Sequence, residues 1–144
     1  MELRSLFIGG ILPAILLGAG TVLMKFSLRT GISIPMYLGF VGATVLSCGA
    51  VTSWWFSETD FKATSATFAI SMGICWSIAI ACMTYGLSTL KLPVSVVAPL
   101  TNSNALVAVS LGLLLLGELH QVNPMRLSLG TVLIVLGATV VSTS

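Results

Sequence analysis

The stretch Pro93–Glu118, PVSVVAPLTNSNALVAVSLGLLLLGE, carries no charge before its closing glutamate. Its roughly two dozen residues are enough to cross a bilayer, whose apolar core takes about 20 residues of a helix rising 1.5 Å per residue. Inside it stand Pro99, Thr101, Asn102, Ser103 and Asn104. Hydrocarbon tolerates such helix-breaking and polar residues only where neighbouring helices or a watery cavity satisfy them. The segment therefore reads as a membrane-spanning helix with a polar middle, and that middle is where function is expected to concentrate.

The rest of the chain belongs to the same solvent. Of 144 residues 56 % are hydrophobic and 7 % charged, and the mean hydropathy of +1.09 lies outside the range of a soluble domain. Nearly all the charged residues fall between apolar runs, which divides the sequence into five expected spans: about Leu6–Leu28, Met36–Phe56, Thr64–Ser88, Val94–Gly117 and Met125–Val141. The expected fold class is an all-α integral membrane protein, a single transmembrane domain of five helices. Arg4 followed by an apolar run to Gly18-Ala19-Gly20 faintly resembles a secretory signal. The run continues to Met24 at spanning length, so an uncleaved first helix is the better reading.

Small residues recur every four positions along one face of several spans: Gly10, Ala14 and Gly18 in the first, Gly39, Ala43 and Ser47 in the second, and Ala69, Gly73, Ser77 and Ala81 in the third. In lipid, where tails are as apolar as leucine, such stripes let backbones approach and pack. Gly130 and Gly137, seven apart, do the same for the fifth. Pro13 is expected to bend the first span. Tyr37, Trp54, Trp55 and Phe56 bracket the second as aromatic belts do at membrane–water boundaries. Asn123-Pro124 reads as an N-cap followed by a proline in the first helical position.

The candidate substrate-binding residues are Thr101, Asn102, Asn104, Trp76 and Lys25. Pro99 cannot donate to the carbonyl of Ser95, which leaves an acceptor close to the two asparagines. Two positions apart, they lie about 200° apart on a helix. One can face a cavity while the other bonds a neighbouring helix, and contact with solute competes evenly with a role as interhelical glue. Trp76 shares a face with Met72 and Met83, a polarizable wall suited either to organic solutes or to lipid. Lys25, one turn from the end of its span, either snorkels to the interface or turns inward to hold an anionic group or Glu118. His120, in an aqueous loop, receives no role.

Several classes of function are excluded by what the sequence contains. The net charge of +2 comes without a clustered basic run, so no nucleic-acid partner is expected. Cys48, Cys75 and Cys82 sit inside apolar runs without metal-ligand spacing and read as buried structural thiols, with no metal or cofactor implied. There is no nucleophile–base pair and no phosphate-cradling loop, so no enzyme activity is expected.

Five spans place the termini on opposite sides. One side then holds Arg4, Lys62 and Arg126, the other Lys25, Arg29 and Lys91. Three against three gives almost no orienting bias under the positive-inside rule, so a chain of this kind can insert both ways. Secondary transporters commonly pair two repeats of inverted topology around a site at mid-membrane, and two oppositely inserted copies of a single repeat would restore that pair.

The pattern PVSVVAPLTNSNALVAVSLGLLLLGE, followed by RLSLGTVLIVLGATVV, resembles the closing portion of an EamA-type unit of the drug/metabolite transporter superfamily. The five-span layout is similar to that unit over nearly the whole chain. The resemblance implies movement of a small organic solute by alternating access, a prokaryotic cytoplasmic (inner) membrane location, and the first, third and fourth helices lining the route. The segment TVLMKFS, Thr21 to Ser27, also resembles the small multidrug resistance proteins, which depend on a membrane-embedded glutamate earlier in that helix. Here Pro13–Gly20 contains no acid, which argues against their proton-coupled export. The expected assembly is an antiparallel homodimer. The alternatives are one half of a heteromeric transporter, or a non-transporting scaffold or regulatory subunit.

Overall fold

A computed structural model of the chain describes residues 3–57, 60–116 and 123–142, and every regular element among them is helical. Helix α1 spans Leu3–Arg29, α2 Ile34–Phe56, α3 Ala63–Ser88, α4 Val94–Asn102, α5 Asn104–Leu115 and α6 Pro124–Ser142. Four segments are long and apolar enough to cross a membrane: α1, α2, α3, and α4 with α5 taken together as Val94–Leu115. The apolar stretch of α6, Met125–Val141, is shorter than these. The chain is an all-helical, multi-pass membrane protein.

The disturbance expected at Pro13 takes the form of a π turn over Phe7–Ile11, at whose end the Leu12 N–H donates to the carbonyl of Phe7, five residues back. Proline has no N–H, and its ring crowds the carbonyl four residues earlier. One wider turn just before it lets the helix continue without a break. At the other end, Thr30 N–H donates to the Phe26 carbonyl at 3.2 Å and Gly31 N–H to that of Leu28 at 3.3 Å. Gly31 then turns into left-handed backbone at φ +95°, which a side chain would resist, and α1 stops there.

Serine and threonine are common in these spans and need no partner outside their own helix. Thr21, Thr44, Ser47, Thr52, Ser71, Thr84, Thr131 and Thr139 each donate to the carbonyl four residues earlier. A hydroxyl returned in this way to its own backbone can sit in hydrocarbon without an unsatisfied group.

The chain divides into two compact units. One comprises Met1–Thr21 with Leu92–Ser144, and in it α6 packs chiefly along α4 and also against α5. Its buried residues are Val97, Gly112, Thr131 and Ala138. The other, Val22–Lys91, holds the last turns of α1 with α2 and α3, and there α2 lies against α3. Met24, Thr84, Gly86 and Leu87 are buried in it, whereas no residue of α2 is.

The small-residue stripes are not where either unit packs. Ala14, Gly39, Ala43, Ser47, Ala69 and Ser77 are exposed, and a Cβ placed on Gly10, Gly18, Gly39, Gly73, Gly130 or Gly137 would meet nothing within 4 Å. The third-span stripe reaches a covered position only when extended three residues beyond Ala81, to Thr84. Nor are the cysteines buried: Cys48, Cys75 and Cys82 are all exposed free thiols, because the helix faces that carry them have no neighbour.

The start of α6 is fixed as its sequence implies. Arg126 N–H donates to Asn123 Oδ1 at 3.2 Å, with Pro124 opening the helix. Replacing a capping side chain by alanine costs about 1 kcal/mol. Asn123→Ala is therefore expected to lower stability by about that amount in mixed-micelle unfolding, and Asn123→Asp to leave it nearly unchanged.

Candidate functional site

The longest uncharged segment of the chain is not one helix. Val94–Asn102 and Asn104–Leu115 are separated at Ser103, whose backbone sits at φ −64°, ψ −9°. Ser103 N–H donates to Leu100 three residues back at 3.1 Å, and Leu106 N–H to Ser103 at 3.0 Å, in place of the four-residue steps of an α-helix. With nine residues before it and twelve after, the break lies near the middle of the span.

The sequence points to Pro99 as the breaker, but α4 runs through Pro99 and fails four residues later. Thr101, Asn102, Ser103 and Asn104 are all poor helix formers whose side chains compete for backbone bonds. Thr101 does so directly, its hydroxyl donating to the Ala98 carbonyl at 2.9 Å. Proline weakens the ladder, and the run of four polar residues after it determines where the helix gives way.

Thr101, Asn102 and Asn104 are exposed at this break. Unlike the eight hydroxyls that bond back to their own helices, the amides of Asn102 and Asn104 have no hydrogen-bond partner among the described residues. A carboxamide offers two donors and an acceptor, so each leaves several groups for water, a solute or another chain to satisfy. Arg4 and Arg126 are the only ionisable side chains that the described residues contribute to this unit, and both lie in the first turn of their helices, away from the break. The break is polar and uncharged.

Lys25 and Trp76 belong to the other unit. Lys25 is half-buried and turns inward: its Nζ donates to the Leu87 carbonyl, in the last turn of α3, at 2.6 Å. A cation there meets the negative end of the helix dipole. Beside it, Thr84 is fully buried, donating to Ile80 and lying 3.9 Å from the sulfur of Met24. Periodicity did not single out Thr84 and Leu87, although Thr84 continues the third-span stripe. Trp76 lies eleven residues before Leu87, about 16 Å along the helix, and is 37 % exposed. Lys25 and Trp76 thus occupy separate places. The suggested partner Glu118, like His120, lies outside the described residues.

The same unit contains an apolar groove of about 380 Å³ between the end of α1 and α2. Ser27 and Ile32 form one side, and Tyr37, Phe40, Val41 and Val45 carry it along α2.

No family model matches the chain, and neither a curated protein nor a solved structure matches it. What the helices define is the class: a multi-pass helical membrane protein with an interrupted span.

The Lys25 contact predicts a difference between two cations of α1. Lys25→Met removes the charged donor to Leu87 and is expected to cost roughly 1.5–2 kcal/mol, the lower part of the range for charge-assisted bonds because the lysine is only half-buried. Arg29→Met, at an exposed position, is expected to stay within about 0.5 kcal/mol in the same unfolding measurement.

Proposed function

We propose that this chain is a transporter subunit that moves a small organic solute across a prokaryotic cytoplasmic membrane by alternating access, as an EamA-like five-span repeat. The observation that carries the reading is the helix break at Ser103, set within Thr101, Asn102 and Asn104 near the middle of an apolar span. Irregular backbone at membrane depth is tolerated where it lines a cavity, and discontinuous helices are how transporter folds build midplane sites. The unpartnered asparagine amides supply the polar groups that would orient a solute, and Thr101 stands beside them. With no ionisable side chain at the break among the described residues, coupling to a proton is not part of the reading; facilitated diffusion or exchange is. Lys25 and Trp76, which belong to the other unit, are kept as further candidates for contact with the solute.

The uncovered small-residue faces support assembly with a further chain. A second copy inserted the other way satisfies the balanced loop charges and supplies the inverted repeat that a single unit lacks. The same faces fit a second reading, in which the partner is a different chain and this one is half of a heteromer or a non-transporting subunit.

Liposomes holding the purified chain alone are expected to take up at least one member of a panel of uncharged polar solutes. Asn102→Leu and Asn104→Leu are each expected to lower that uptake about ten-fold, the loss of one hydrogen bond of about 1.4 kcal/mol. Absence of flux across the panel, with flux restored by a second chain, would favour the heteromer. Reporters on both termini are expected to show each terminus on both sides of the membrane; a single orientation for every copy would remove the dual-inserted homodimer.

A further inference from the structure

The groove between the end of α1 and α2 belongs to a different unit from the helix break, and its chemistry is different. Its mouth is at the turn between the two helices, where Ser27 and Ile32 meet Tyr37. From there it follows α2 to Val45, eight residues or about 12 Å into the apolar span. Phe40, Val41 and Val45 give it apolar walls, and the one hydroxyl along its depth, that of Thr44, is already donated to the Phe40 carbonyl at 2.9 Å. Below the mouth there is nothing for a polar solute to bond. The occupant must be hydrocarbon inside and polar at the membrane surface.

Charge narrows the occupant further. The cations at this end of the unit are Lys25 and Arg29, in the last turns of α1, and Lys91, three residues past α3; the contact between Lys25 and Leu87 shows that the ends of α1 and α3 are side by side. Asp60 is the only carboxylate among the described residues of the unit, and it lies beyond the opposite end of α2, a helix of 23 residues and so about 34 Å in length. Arg29 stands in the chain between Ser27 and Ile32, the two residues that line the mouth from the α1 side. Basic residues at a membrane surface attract anionic headgroups, and an arginine presents a fork that matches phosphate oxygens.

We infer that this groove seats one acyl chain of an anionic phospholipid, whose phosphate is held at the mouth by Arg29 within the field of Lys25 and Lys91. The tail lies along Tyr37–Val45 and the headgroup remains at the level of the turn. The site does not depend on what crosses the membrane elsewhere in the molecule.

The test uses the full chain in phosphatidylcholine vesicles containing phosphatidylglycerol with a diazirine on one acyl chain. After photolysis, the adducts are mapped by peptide mass spectrometry. The expected result is labelling concentrated on Tyr37–Val45 and stronger than that from the same diazirine on phosphatidylcholine. Arg29→Gln is expected to lower labelling by phosphatidylglycerol about five-fold, the contribution of one basic residue near the surface, and so to bring it towards the level of phosphatidylcholine. Val41→Trp, or Thr44→Phe if that variant does not fold, fills the groove and is expected to abolish the labelling there while labelling elsewhere persists. Two results would each overturn the inference: labelling spread evenly over the exposed face of α2 through Leu46 and Val51, or equal labelling by the two lipids. The mapping on the unsubstituted chain decides between these by itself.

Discussion

A backbone amide in hydrocarbon has no water to turn to, and the rest of this structure follows from that. Nearly every span meets the requirement within itself. The helices close their own ladders, and threonine and serine return their hydroxyls to the carbonyl one turn back. Even Pro13 is accommodated by one wider turn, with the Leu12 N–H bonded five residues back and the helix unbroken. Such helices are complete before they meet any neighbour. The exception is the span from Val94 to Leu115, which opens at Ser103 and leaves two carboxamides without partners among the described residues. An uncompensated polar group at that depth is expensive, and a cavity or a bound solute is the usual reason a membrane protein retains one.

The helix break and the groove differ in what they offer. The break presents polar groups and no charge. The groove at the turn between α1 and α2 presents, below the Ser27 and Tyr37 hydroxyls of its mouth, apolar walls and a single hydroxyl already engaged by its own helix. A polar solute has bonds to make at the first and none in the second; an amphiphile has the reverse. Assigning them to different ligands follows from counting donors and acceptors, without reference to their size.

Helices that satisfy themselves have little reason to associate, since lipid tails are as apolar as their side chains; what remains is close packing and the occasional interhelical bond. In the unit formed by Val22–Lys91 this is concentrated where Thr84, Leu87 and Met24 are buried and Lys25 reaches the Leu87 carbonyl. That contact joins the ends of two helices through one charge-assisted bond, while the glycines of α2 and Gly73 of α3 stay uncovered. The packing potential written into the small-residue faces is thus mostly unspent within a single unit, which is why a further chain enters the functional reading.

Much of this was legible from residue order, because the bilayer imposes a length and a polarity that a sequence either meets or does not. The helical class, the membrane as solvent, the cap at Asn123 and the polar interruption after Pro99 depend on neighbours a few positions apart, and local chemistry suffices for them. Where helix four breaks was not legible: proline marks a missing donor, but the competition among Thr101, Asn102, Ser103 and Asn104 places the rupture at Ser103. The direction of Lys25, the burial of Thr84 and the exposure of the three cysteines could not be read either. The sequence by itself determined which segments are greasy enough to span and which residues interrupt them; the tertiary structure alone decided which faces meet, because in lipid no difference in hydrophobicity tells one face of an apolar helix from another.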